Sequence, residues 1–157
     1  CSVNTKKRFI LMICLFFILL LKYNDFGDFV EKKRVKMIRE QKIDEELLIE
    51  EQEMEAYQID ENEIIYEGKT KEGPFMMKFM FIEGGVFVKI HSAHYQAMIP
   101  FILHSKQEGS YQMGNHVMKL DFVLREFDRK GLAIYMKYDI FSKQSVISNN
   151  KWKVSVI

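Results

Sequence analysis

The sequence predicts a mainly β protein built as an N-terminal membrane-anchor helix, a charged helical stalk and a small antiparallel β-barrel or sandwich of seven to eight strands. Three observations support this prediction: an uninterrupted apolar run near the start, a charged segment without Gly or Pro, and apolar residues that alternate with a period of two in the remainder. The corresponding boundaries are a basic tail at 1–8, the anchor helix at 9–22, the stalk at 23–62 and the β domain at 63–157.

The apolar run is Phe9 to Leu21, with three basic residues directly before it and Lys22 directly after it. As a helix this run would rise about 20 Å, whereas the hydrocarbon core of a bilayer is roughly 30 Å thick. Lys22 can snorkel, and Tyr23 and Phe26 can lie at the interface, which lengthens the usable span. Because no small-residue cleavage site follows, we interpret the run as an uncleaved signal anchor; a buried soluble helix and a removed signal peptide are the alternatives.

The anchor predicts a single-pass membrane protein that contacts the lipid bilayer through residues 9–22. Basic residues lie on both sides of the run, and the six that follow it favour a cytoplasmic carboxyl side. A short N-terminal tail with a basic cluster favours the opposite arrangement, so we expect the β domain to be extracytoplasmic. The net charge of +1 gives no general attraction for nucleic acid.

The stalk is predicted from composition, because Asp28 to Glu67 contains no Gly or Pro and is rich in good helix formers. Its first half is basic and its second half is acidic. A solvated helix is the simple interpretation. The alternative is a docking helix whose basic half lies on anionic headgroups, while its acidic half meets a basic partner or its own neighbour in antiparallel orientation. The candidate partner-binding residues are Lys32, Lys33, Arg34, Glu45, Glu50 and Glu53.

Beyond residue 63 the apolar residues follow strand periodicity. Phe75 to Ile82 and Val86 to Ile90 alternate around Gly84 and Gly85, which predicts a β-hairpin with a tight turn. Further strands are predicted at 117–125, 132–141 and 151–156, and weaker ones at 64–67, 95–103 and 110–113. Short strands with small turns at this spacing are typical of a closed barrel or a sandwich.

The predicted core face is rich in Phe and Met, which is consistent with ordinary filling of a small barrel. The alternative is a pocket for a lipid or another small apolar ligand, because barrels of about eight strands can hold one small molecule. The candidate lining residues are Phe75, Phe79, Phe122 and Trp152, the last being the only tryptophan in the chain.

The sequence contains no recognisable catalytic or metal-binding motif. His91 and His94 are three residues apart, a spacing that places them on opposite faces of a regular strand, so we predict no metal site there. The serines lack a nucleophile-elbow motif, and no helix follows Gly84–Gly85 to complete a phosphate loop. We therefore expect no cofactor and no enzymatic activity.

The segment Gly109 to Ile157 resembles small calycin-like (lipocalin-like) barrel proteins of Gram-positive bacteria. The resemblance depends on Gly114 before a long alternating strand, Gly131 before a strand that ends Tyr138-Asp139-Ile140, and Ile147 to Lys151 entering the last strand. It implies a barrel fold and carries no functional residue with it.

Two functions follow from these features. The first is a non-enzymatic, single-pass membrane subunit that binds other proteins of a bacterial envelope complex through its stalk and β domain, with homo-oligomerisation as one possible outcome. The second is a membrane-tethered β-barrel that binds a lipid or another small apolar ligand. Copurification with membrane partners favours the first function, and lipid bound to the isolated domain favours the second.

Overall fold

The structure, a computed structural model, describes residues 31–157 and is a closed antiparallel barrel of ten strands. The strands are β1 (Lys33–Ile43), β2 (Glu46–Asp60), β3 (Glu63–Thr70), β4 (Gly73–Ile82), β5 (Gly85–Ser92), β6 (Gln96–Ile102), β7 (Lys106–Met113), β8 (His116–Lys130), β9 (Ala133–Ser142) and β10 (Ser145–Val156). Each strand pairs with the next, and β1 pairs with β10. Closure leaves no free sheet edge in the barrel.

The prediction of a helical stalk is wrong, because the segment from Lys33 to Asp60 forms β1 and β2. Asp44 adopts a left-handed conformation with φ of 54° in the turn between these strands. Both strands pair on both sides, β1 with β10 and β2 with β3. Backbone pairing and burial in the closed sheet therefore outweigh a helix propensity that amounts to tenths of a kcal/mol per residue.

The predicted number of seven to eight strands is also wrong. The eight segments predicted as strands correspond to β3 through β10, and β1 and β2 raise the total to ten. The predicted anchor at 9–22 lies outside the described residues. Residues 31–157 contain no helix with the length and apolar character needed to cross a membrane.

The basic and acidic halves of the predicted stalk are the two strands of the β1–β2 hairpin. The basic strand lies antiparallel to the acidic strand, and ion pairs join Arg34 to Glu53 and Lys36 to Glu51 on the outer face of the barrel. The hydrogen bond and the charge of Glu51 raise the pKa of Lys36. Opposite charges on facing strands favour this register over shifted ones.

The core lies inside the barrel and is made by alternate residues of every strand. Its largest fully buried side chains are Trp152, Tyr66, Phe79, Phe101 and Phe122. Their rings contact one another edge-to-face or tilted, for example Tyr66 with Phe79 at 5.2 Å and Phe101 with Phe122 at 5.6 Å between centroids. Aromatic pairs at these distances and angles stabilise a core beyond the area they bury.

One end of the barrel is closed by side chains. Phe81 and Phe127 pack with ring centroids 5.8 Å apart, and the guanidinium of Arg129 lies 4.0 Å from the centre of the Phe81 ring. Arg129 also donates a hydrogen bond to the carbonyl oxygen of Glu61 over 2.8 Å, and the Tyr66 hydroxyl donates to the carbonyl of Leu132 over 2.8 Å. We call this the closed end; the opposite end carries the cavities described next.

Candidate functional site

The open end of the barrel is formed by five hairpin turns, which join β1 to β2, β3 to β4, β5 to β6, β7 to β8 and β9 to β10. Two adjoining cavities lie there, and Arg39, Ile90 and Tyr95 line both of them. The first, here called the tyrosine cavity, has a volume of about 310 Å³. The second, here called the hairpin cavity, has a volume of about 220 Å³ and lies between the β3–β4 and β5–β6 turns.

The tyrosine cavity extends from the solvent-exposed end of the barrel to its aromatic core. It is lined by Arg39, Gln41, Ile90, Tyr95, Tyr111, Met113, Met118, Tyr138, Ile140, Asn150 and Trp152. The ring centroid of Tyr138 lies 5.7 Å from that of Trp152 and 4.8 Å from that of Phe101. These contacts with the core hold the Tyr138 ring in place. A cavity with a rigid aromatic floor and an exposed entrance has the form of a small-molecule site.

The hydroxyls of Tyr111 and Tyr138 are available to a ligand in this cavity. Among residues 31–157, the tyrosine hydroxyls that hydrogen-bond to protein atoms are those of Tyr57 and Tyr66, and the hydroxyls of Tyr111 and Tyr138 form no such bond. Burial raises the pKa of Tyr111 to about 12, with a further increase from Tyr95 and an opposing decrease from the charge of Arg39. Burial likewise raises the pKa of Tyr138, again against the charge of Arg39. Both phenols are therefore protonated at neutral pH and can donate hydrogen bonds.

Arg39 stands at the entrance, on the inner face of β1. In the strand register it lies directly between Glu50 of β2 and Trp152 of β10. Its guanidinium forms an ion pair with the Glu50 carboxylate. The side chain of Arg39 is 42% exposed and that of Glu50 is 69% exposed, so solvent screens the pair and weakens it.

Trp152 carries an unsatisfied polar group in the core. The residue is only 2% exposed, and its indole Nε1–H has no acceptor among the described residues. A buried donor without an acceptor costs on the order of 1–3 kcal/mol, which a ligand acceptor or a bound water in the cavity would offset. Trp152 joins the core to the tyrosine cavity, because its ring both contacts Phe79 and lines the cavity wall.

The hairpin cavity is more acidic than the tyrosine cavity, which has no carboxylate among the described residues of its lining. Its charged lining residues are Arg39, Glu50 and Glu72, and the titratable side chains of His94 and Tyr95 also line it. Phe75 forms part of its wall and packs over Gly68, where an added Cβ atom would lie 2.6 Å from the Phe75 ring. The glycine at position 68 thus allows the Phe75 ring to lie flat against β3.

The four aromatic residues predicted to bind a ligand occupy two levels of the barrel. Phe75 lines the hairpin cavity and Trp152 lines the tyrosine cavity. Phe79 and Phe122 are fully buried below the cavities and contact the lining rings, Phe79 with Trp152 at 5.8 Å and Phe122 with Tyr138 at 6.3 Å.

The residues predicted to bind a partner are spread along the β1–β2 hairpin. The Lys32 ammonium lies 5.3 Å from the centre of the Tyr57 ring, Lys33 begins β1, and Glu45 lies in the β1–β2 turn. Arg34 and Glu53 pair with each other on the outer face. Glu50 differs from these residues, because it points to the inner face and pairs with Arg39.

Sequence reasoning missed Arg39, Tyr111 and Tyr138 as site residues. Tyr111 and Tyr138 each occupy an inner position of a strand. The alternation of inner and outer residues in the sequence could therefore have identified both tyrosines. Arg39 was hidden by its place in a segment interpreted as a helix. Only the pairing of β1 with β2 and β10 places this arginine across from the tyrosines.

No group of three or more His, Cys, Asp or Glu residues suited to a metal ion is present among residues 31–157. His91 occupies an exposed, outward-facing position of β5, and His94 lies in the turn between β5 and β6.

No protein-family model matches this chain, and no curated protein matches it. The fold is similar to that of the ywiB protein from Bacillus subtilis, known from its crystal structure, with a TM-score of 0.62. The match covers 82% of this chain and 95% of that chain at 13% sequence identity. Identity this low establishes a shared fold and no shared function. This chain therefore has the fold of a small antiparallel barrel like that of ywiB.

Proposed function

We propose that this protein is a binding module that holds a small, partly apolar molecule in the tyrosine cavity. The supporting observation is the cavity itself, which combines a fixed aromatic floor, four apolar wall residues and hydroxyls without protein partners. Its volume of about 310 Å³ lies at the lower end of the range for small-molecule sites, roughly 300–1,000 Å³. A ligand bound there would bury its apolar part against Ile90 and Ile140.

The resemblance of Gly109 to Ile157 to calycin-like barrels is consistent with this proposal, because barrels of that kind enclose small ligands. Tethering to a membrane through Phe9 to Leu21 remains part of the proposal, and that segment lies outside the described residues. A tether would keep the binding site near a source of amphipathic molecules.

Replacing Ile90 by phenylalanine should fill part of the cavity and weaken ligand binding. The probe is neutral phenylnaphthylamine, followed by its own emission and by that of Trp152, the only tryptophan of the chain. We expect the added ring to lower probe affinity about tenfold or more, equivalent to about 1.4 kcal/mol. Ile90 is 6% exposed on the inner face of β5.

The matched control is His91→Phe, which adds the same ring to the exposed outer face of the same strand. This variant should bind the probe as the original protein does. Equal binding by both variants would contradict the proposal, as would the absence of any saturable change in Trp152 emission. Circular dichroism of each variant establishes that it is folded, and mass spectrometry of material extracted from the full-length protein gives an independent readout.

A second candidate function is supported by the exposed apolar side chains at the open end. They lie on three neighbouring hairpins and form what we call the apolar rim: Ile43, Leu47, Leu48, Ile49, Met113, Val117, Met118, Val146 and Ile147. Exposed apolar groups clustered in this way are typical of protein-binding surfaces. We propose that the rim, rather than a helical stalk, contacts another membrane or envelope protein.

The double substitution Leu47→Lys with Ile49→Lys tests this second function. Full-length protein in its native membrane is crosslinked under mild conditions, and the two lysines should abolish crosslinked partners because they place charge in an apolar contact. Ile82→Lys is the control, because Ile82 is 50% exposed but lies at the closed end. Partners retained by the double variant, or lost equally by the control, would contradict a role for the rim.

A further inference from the structure

We propose that the natural ligand of the tyrosine cavity is an organic anion, a carboxylate attached to an apolar chain or ring, and that Arg39 is its counter-ion. This inference rests on the proposed binding function and specifies its substrate class. It depends on the charge of the cavity lining, the donors around it and the ion pair at its entrance.

The charge of the lining favours an anion. Among the described residues that line the tyrosine cavity, Arg39 alone carries a formal charge, and the rest are aromatic, apolar or amide side chains. The inner-face neighbours Gln41 and Asn150 lie opposite each other, and the Asn150 amide donates to the Ser148 hydroxyl over 2.9 Å. If a ligand displaces water and Glu50 from Arg39, a negative charge on the ligand is needed to balance the guanidinium in this mostly apolar cavity.

The hydrogen-bond donors next to Arg39 also favour an anionic ligand. The Tyr111 and Tyr138 phenols stay protonated at neutral pH because burial raises the pKa of each. Arg39, Tyr111 and Tyr138 line the same cavity, and the charge of Arg39 lowers the pKa of both phenols against the effect of burial. A guanidinium and two O–H donors together suit a carboxylate, whose two oxygens accept several hydrogen bonds.

Glu50 shows that the Arg39 guanidinium can bind a carboxylate in this position. The pair lies at the entrance, and the Glu50 side chain is 69% exposed. An incoming carboxylate can therefore take the place of Glu50 at Arg39, while Glu50 turns into solvent at little cost. The Glu50 carboxylate thus acts as an internal competitor that the ligand must displace.

The apolar part of the ligand is accommodated by the same cavity. Met113 and Met118 form its outer edge and are about half exposed, whereas Ile140 and Trp152 form its buried wall. Flexible methionine side chains at an entrance can adapt to chains of different shape. We infer a short fatty acid or a similar amphipathic acid rather than a sugar or a nucleotide.

The test compares decanoate with decanol, which share one chain and differ in charge. Each is titrated into the full-length protein, and displacement of phenylnaphthylamine and Trp152 emission are followed. We expect decanoate to bind about tenfold more tightly than decanol, as a charge-assisted hydrogen bond to Arg39 predicts. Arg39→Gln should remove this preference, Arg39→Lys should keep part of it, and Glu50→Gln should strengthen decanoate binding because the internal competitor is gone.

The control pair comes from the same hairpin. Arg34→Gln and Glu53→Gln disrupt an ion pair of the same types on the outer face, and both should leave the preference for decanoate unchanged. Equal binding of decanoate and decanol would overturn the anion inference and leave the binding function intact. Displacement by neither compound, together with no binding of phenylnaphthylamine, would overturn the binding function itself. Weaker decanoate binding in Glu50→Gln would contradict the role of Glu50 as competitor.

Discussion

Replacing Gly85 by alanine is expected to destabilise the barrel by about 3 kcal/mol or more, at the upper end of the range for overpacking a core. A Cβ atom at this position would lie 2.0 Å from the carbonyl oxygen of Phe101 and 3.1 Å from the Cα atom of Ile102. Both contacts are with the backbone of β6, so no side-chain rotation can relieve them. The strand itself would have to move, and with it the fully buried Phe101 ring that supports Tyr138.

The neighbouring glycine provides the control for this prediction. Gly84 has a φ of +76°, and nothing lies within 4 Å of a Cβ atom added there. Gly84→Ala should therefore cost only the strain of a left-handed residue, about 1–2 kcal/mol. Urea unfolding followed by circular dichroism measures both variants. Equal destabilisation by the two substitutions would show that turn conformation, and not the approach of β6, determines the need for glycine.

The stability of the barrel should fall steeply above about pH 10, by roughly 3 kcal/mol at about pH 11 for Tyr66 and Tyr138 together. Burial raises the pKa of each hydroxyl above that of an unfolded tyrosine, which is about 10. A group whose folded pKa is raised stabilises the folded state fully below the unfolded pKa. That contribution is lost as the pH rises through the window between the two pKa values, because the unfolded chain releases the proton first.

Urea unfolding at about pH 8 and about pH 11 tests this expectation, with tyrosinate absorbance as a second readout. Tyr138→Phe and Tyr66→Phe should each reduce the alkaline loss by about 1.4 kcal/mol per pH unit, the value for one proton. Tyr66→Phe should also lower stability near neutral pH by about 1 kcal/mol, because it removes the hydrogen bond to Leu132. An alkaline loss that is unchanged in both variants would show that other groups cause it.

The strands from residue 63 onward could be predicted from alternation, because their inner positions are apolar and their outer positions are mostly polar. The β4–β5 hairpin is the clearest case, with Phe79 and Val88 on the inner face and a turn at Gly84. The strands β1 and β2 could not be predicted in this way. Near the open end their inner positions are Arg39, Gln41 and Glu50, so the apolar alternation stops after Val35 and Met37.

The candidate site was predictable only in part for the same reason. Phe75 and Trp152, which the sequence predicted as ligand-binding residues from their place on an aromatic core face, line the two cavities. Arg39 and Glu50 were assigned to a helix, where their charges indicated solvent or a partner. Arg39 and Glu50 interrupt the apolar alternation of β1 and β2, and the same two residues carry the charges at the open end of the barrel.

The sequence by itself determined the β character of residues 63–157 and the aromatic composition of their core. It also contained the pairing of a basic segment with an acidic one, although it did not reveal that the two are strands of one hairpin. Only the tertiary structure decided that this hairpin closes the barrel, because β1 and β10 are separated by nearly the whole described chain. Closure brings Arg39 to Trp152, Tyr111 and Tyr138, and contacts between residues so far apart in sequence leave no local pattern from which to infer them.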